Sequence, residues 1–145
     1  MKKIFTIASL MILSVVILAG CSKRSYDYGY DEDYWLRQES GIVVYSDNYC
    51  PFYVVETNRG YTIVRSVSGL QPFEGDEIYG DLSRRGYMDL FNWNDNAVIR
   101  SEITDYWLTY SEAQYIIDNV CYTYSKTASK KVIKTNVAKT ERRSK

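Results

Sequence analysis

The chain has 145 residues, with 18 basic and 18 acidic side chains for a formal net charge of zero, and no histidine. A length near 150 fits one domain and is too short for a large α/β enzyme with a separate cofactor domain. The lack of histidine excludes a histidine base and a histidine-ligated metal. The neutral total is an average over unlike segments, since residues 1–20 carry +2, residues 21–121 carry −9 and residues 122–145 carry +7.

Lys2 and Lys3 open the chain, and Ile4 to Ile17 follow without a charge, interrupted only by Thr6, Ser9 and Ser14. Leu18-Ala19-Gly20-Cys21 comes next. A charged start, an apolar run and small residues before a cut site make residues 1–20 a secretory signal. The apolar run of about 16 residues falls short of the roughly 20 that a helix needs to cross a bilayer.

Leu18-Ala19-Gly20-Cys21 resembles the lipobox of bacterial lipoproteins. The resemblance covers residues 1–21, where charge, apolar run and box occur in order. It implies a diacylglyceryl group on the Cys21 sulfur, cleavage before Cys21 and acylation of the new amino group. A thiolate is the protein nucleophile best suited to alkylation, and several acyl chains anchor stably where one does not. Ser22 follows the cysteine, which resembles the outer-membrane default in a Gram-negative host. The expected location is therefore the outer membrane, lipid-anchored, on either its periplasmic or its surface face. Aspartates and glutamates begin at Asp27, six residues after Cys21, and loosely resemble a surface-export signal.

With Cys21 lipidated, Cys50 and Cys121 remain, and an exported protein usually closes such a pair. The loop from 50 to 121 would contribute roughly 4 kcal/mol on the chain-entropy account, which suits a domain this small.

Residues 21–40 mix Tyr26, Tyr28, Tyr30 and Tyr34 with acids and show no sustained period. They read as a flexible, acidic, Tyr-rich tether. Residues 41–121 read as the domain. Ile42 to Tyr45, Phe52 to Thr57, Tyr61 to Val67, Glu77 to Leu82, Tyr87 to Trp93 and Ala97 to Leu108 are strand candidates, with Asn58-Arg59-Gly60 as a hairpin turn. In the last strand, alternation puts Ile99, Ser101, Ile103, Asp105 and Trp107 on one side. Ala113, Ile116, Ile117 and Val120 then recur at helical spacing, with Ser111 and Gln114 in a capping-box pattern. The expected fold is mainly β, a small five- or six-stranded antiparallel barrel with one C-terminal helix. Gly75 to Leu82, with Gly80 in mid-strand, resembles the third-strand region of OB-type barrels, although the helix would follow the last strand; an SH3-like barrel or a plain meander is equally open.

Residues 122–145 hold eight basic residues and Glu141 alone among acids. They read as a basic, disordered tail that attaches to an anionic surface, folds back on the acidic domain, or serves only solubility. Nucleic acid is not an expected partner of an exported chain.

The chemistry that remains is that of binding. Acids such as Asp76, Glu77, Asp81 and Asp89 are plentiful, but no nucleophile and base stand in a set, and the acidic clusters lack EF-hand spacing. No cofactor or metal site is implied. Tyr accounts for 15 residues and Trp for 3, side chains that favour half-wet binding surfaces. Tyr87 and Trp93 flank one strand and read as a stacking platform. The expected role is a non-enzymatic binding or structural module of the cell envelope, with a glycan or an envelope protein as partner. The alternatives are an accessory subunit docking through its aromatic face and, further off, a small hydrolase.

Overall fold

The computed structural model describes residues 31–124 and 132–143. The lipid-attachment candidate Cys21, its box and the first half of the tether lie outside the described residues. Helix α1 (Glu32–Trp35) precedes β1 (Ser40–Asp47), β2 (Cys50–Thr57), β3 (Gly60–Ser66), β4 (Glu77–Tyr79), β5 (Gly86–Asn92), β6 (Ala97–Leu108) and helix α2 (Tyr110–Tyr124). The strands close a barrel in the order β1-β2-β3-β6-β5-β4, with every neighbouring pair antiparallel and β4 paired back to β1. The expected mainly β barrel with one C-terminal helix is what the chain forms. The 67–76 connection carries the chain across the barrel, so β6 rather than β4 lies beside β3, a Greek-key arrangement.

Two apolar layers explain the residue pattern. Val43, Tyr53, Val55, Val64, Ile78, Leu90, Ile99 and Ile103 fill the barrel. Val44, Val54, Ile63, Ala113 and Ile117 form a second layer between β1–β3 and α2. The first three strands are thus covered on both faces, which is why they read as continuous apolar runs. β5 instead alternates, with Met88 and Leu90 inward and Tyr87 and Asp89 exposed. Tyr53 lies wholly inside the barrel, its hydroxyl 3.1 Å from Ser101 Oγ, and burial pushes the phenol pKa up.

Gly41 and Gly80 mark close approaches. A Cβ at Gly41 would meet the Glu56 carbonyl oxygen at 2.5 Å. Gly80 does not lie in mid-strand as expected. It ends β4 at φ +153°, where a Cβ would meet Leu90 Cδ2 at 2.4 Å. The chain turns there so that Leu82 plugs the barrel.

Helix α2 starts earlier than its apolar period suggests. The capping pair is Thr109 and Glu112, not Ser111 and Gln114. Glu112 Oε2 accepts from the Thr109 backbone N–H at 2.8 Å and from its hydroxyl at 2.7 Å, and these bonds pull the Glu112 carboxyl below its usual range. Gln114 is diverted, its Oε1 accepting from the Ile133 N–H at 2.9 Å. Cys50 and Cys121 form the expected disulfide, with Cα atoms 5.3 Å apart, joining the start of β2 to α2. Burial, with the charges of Glu74 and Asp118 adding, raises the nearby Tyr45 phenol to about 12. It donates to Cys121 Sγ at 3.7 Å.

The described parts of both flanking segments, residues 31–40 and 132–143, make ordered contacts with the barrel where disorder was expected. In the tether, Trp35 stacks on Phe91 with centroids 5.8 Å apart, and the Glu39 carbonyl accepts from the Gly80 N–H at 2.9 Å. In the tail, residues 122–124 finish α2, and residues 132–143 lie against the barrel. Composition counts few apolar groups there, but one of them, Ile133, is buried in the α2 layer, and the cations of residues 132–143 meet carboxylates. No helix among the described residues is long and apolar enough to cross a membrane.

Candidate functional site

Tyr87 and Trp93 do not form one platform. They stand at opposite ends of β5, six residues and therefore about 20 Å apart along the strand. Tyr87 is exposed and accepts from Arg65 Nη2 at 3.2 Å. Trp93 is half-buried, with Lys139 Nζ 4.9 Å and the Arg142 guanidinium 5.3 Å from its ring centroid. The C-terminal segment therefore occupies the ring face that a ligand would need.

The residue that sequence periodicity misplaces is Trp107. Continuous alternation puts it on the side of Ile99 and Ile103, which face the interior. In the structure Tyr61 pairs with Leu108 and Ile63 with Asp105. Two steps along β3 thus oppose three along β6, and from Ile63–Asp105 to Val64–Ile103 one step opposes two, so β6 carries two extra residues, each at a β-bulge. Together the two let Tyr106 pack against the barrel interior and Leu108 against the α2 layer, and they turn Trp107 outward. Trp107 takes φ +58° and remains 52% exposed. A bulky residue in the left-handed region costs about 1–3 kcal/mol and persists where surrounding structure holds it. The signal in the sequence was the run Tyr106-Trp107-Leu108, three large apolar residues where alternation allows two.

The neighbours of Trp107 hold it still. Its indole Nε1–H donates to Ser83 Oγ at 2.9 Å, and the Ser83 hydroxyl donates to Glu39 Oε2 at 2.6 Å. Tyr106 meets the ring edge-on at 5.1 Å. The Arg59 guanidinium, from the β2–β3 turn, lies 5.5 Å over the ring. Gly60 is required in that turn, where φ is +123° and a Cβ would meet the Leu108 carbonyl oxygen at 2.5 Å. Arg84 and Arg85, on the adjoining loop, pair with Asp81 and Asp105. Arg59 has no carboxylate within 4.0 Å among the described residues. The result is a fixed, wet aromatic face with an uncompensated cation at its edge.

A second concavity of about 370 Å³ lies between the 67–76 connection and the β5–β6 turn, walled by Leu70, Phe73 and Ile99 and closed by Asp95 and Arg143. Its polar end is already satisfied internally. Arg143 Nε donates to Asp95 and Nη2 to Asp76, each at 2.5 Å, and these bonds raise the guanidinium pKa further. Among the described residues no group of three or more cysteine or acidic side chains is placed to hold a metal ion. Comparison of the chain with protein families, with curated proteins and with solved structures finds no match.

Proposed function

We propose that the protein is a lipid-anchored, non-enzymatic binding module of the cell envelope, held at the outer membrane through Cys21, and that it binds a glycan bearing a carboxylate or phosphate on the Trp107–Arg59 face. The observation that carries the binding site is the left-handed, half-exposed Trp107, whose indole N–H is pinned by Ser83 and whose ring lies under the Arg59 guanidinium. Backbone strain stored under an exposed side chain marks a place where the side chain's position matters more than stability. A flat ring takes the apolar face of a sugar, and Arg59 takes its anionic group. The anchor rests on the Leu18-Ala19-Gly20-Cys21 box.

Two measurements test this reading. Cys21→Ser is expected to release the protein from the membrane fraction, and unchanged fractionation removes the anchor. For the site, titration calorimetry of the soluble domain against neutral and acidic envelope oligosaccharides is expected to show binding of the acidic ones. Trp107→Asn is the informative variant because asparagine accepts the left-handed backbone. It is expected to stay folded and to weaken binding about thirtyfold, the equivalent of about 2 kcal/mol for a central aromatic contact. Undiminished affinity in Trp107→Asn moves the site elsewhere.

A further inference from the structure

The segment 132–143 carries four cations, and each meets a carboxylate. Lys134 pairs with Glu74, Lys139 with Glu77 at 2.5 Å, Arg142 with Glu32 at 3.0 Å, and Arg143 with Asp76 and Asp95 at 2.5 Å each. Lys139 and Arg142 also cover Trp93, and Arg143 lies 5.1 Å over the Phe73 ring. Ile133 is the apolar anchor, 1% exposed. The main chain is tied at intervals, the N–H groups of Lys134, Thr140 and Arg143 donating to the carbonyls of Val44, Gly75 and Asn94 at 3.0, 2.9 and 2.8 Å. Every element of a peptide bound in an acidic groove is there, supplied by the chain itself.

Two features separate this groove from its occupant. The barrel closes on its own six strands, so the segment completes no sheet. Helix α2 is tied to β2 by a disulfide in which the segment has no part. An uncovered groove would carry Glu32, Glu74, Glu77, Asp95 and Asp76 without the cations that pair with them here, Asp76 keeping only the Phe73 N–H and Asn92 as donors. The groove therefore selects for a basic occupant, whichever chain supplies it.

We propose that the acidic face centred on Trp93 and Asp76 is a docking surface for a basic, extended segment of a partner protein, and that residues 132–143 are its resident pseudo-ligand. The matching partner segment has an apolar residue about ten positions before an arginine, with lysines or arginines between, as Ile133 stands to Arg143. Because the resident segment is covalently linked, it acts at high effective concentration and keeps the surface closed to weak competitors. Its exposed ion pairs make that closure sensitive to salt.

The test uses the full-length protein and a fluorescent peptide with the sequence of residues 132–143. Lys139→Glu with Arg142→Glu repels the resident segment without touching Asp76. This variant is expected to bind the peptide at least about tenfold more tightly than the parent protein, with affinity falling as salt rises. Equal binding by variant and parent overturns the proposal. Amide hydrogen exchange in the parent protein decides independently of how the variant folds. The N–H groups of Lys134, Thr140 and Arg143 are expected to exchange at least about tenfold faster than those of Val54 and Ile63 in the strands β2 and β3, through local opening. Equal protection at both sets of sites makes the segment an inseparable part of the domain and overturns the proposal.

Discussion

Replacing Cys50 and Cys121 together with alanine is expected to lower the unfolding free energy by about 4 kcal/mol. The bridge closes a loop of 71 positions, and cross-linking so long a loop removes much of the conformational freedom of the unfolded chain. Few other devices hold α2 in place. It buries only Ala113, Ile117 and Cys121 fully, and its outer face is exposed from Tyr115 to Tyr122. A domain of this size retains about 5–15 kcal/mol in all, so the loss is a large fraction of the whole. Urea titration of parent and variant measures it. A difference below about 1 kcal/mol would mean that packing alone fixes α2 and that the entropic account of the bridge fails here. Both sulfurs are buried, so reductant is expected to act only on molecules that have already opened. The reduction rate should therefore rise with denaturant.

Asp76→Ala is expected to cost about 3–5 kcal/mol, the range for breaking a buried charge pair. Asp76 is fully buried and accepts four hydrogen bonds. Oδ2 takes the Phe73 N–H at 3.0 Å, Asn92 Nδ2 at 2.8 Å and Arg143 Nη2 at 2.5 Å, and Oδ1 takes the Thr140 hydroxyl at 3.3 Å. Two of these donors belong to the barrel and two to the C-terminal segment. Removing the carboxylate strands the Phe73 N–H and leaves Asn92, Thr140 and Arg143 with only their second acceptors, Asp95, the Gly75 carbonyl and Asp95, whereas Arg143→Gln leaves Asp76 its other three donors. Thermal or chemical unfolding is thus expected to rank Asp76→Ala clearly below Arg143→Gln. The reverse order would place the weight of the cluster on the arginine and tie the C-terminal segment to the barrel more tightly than a docked peptide. The same cluster explains Asn94, whose Nδ2 donates to the Thr140 and Glu141 carbonyls while its Oδ1 accepts from the Glu77 N–H at 2.7 Å. It joins β4 to the tail.

Trp107 and Trp93 show how a binding surface escapes one-dimensional reading. Both sit at strand ends where alternation is the only guide. Trp93 has the right residue type on the right strand, but cations forty-six and more positions away cover it. Trp107 lies on the wrong side of an ideal strand and reaches solvent through two extra residues, which show only in the pairing of β6 with β3. Neither fact is local.

What the sequence determined alone was whatever depends on near neighbours. The apolar runs at 42–45, 52–57 and 61–67, the Gly60 turn, the long strand 97–108 and the helical period after it are written in adjacent side chains, because pleat and helix repeat over two to four residues. The Cys50–Cys121 bond was also legible, as the pairing left if the lipobox resemblance sets Cys21 apart. Tertiary structure decided the rest. It placed β6 beside β3, ended β4 at Gly80 where Leu90 leaves no room for a Cβ, and moved the helix cap to Thr109. Above all, it drew residues 132–143 of the charged tail onto the barrel. Composition measures a tail's average hydropathy, but docking depends on where five carboxylates and one apolar socket stand in space, and those positions exist only once the barrel has closed.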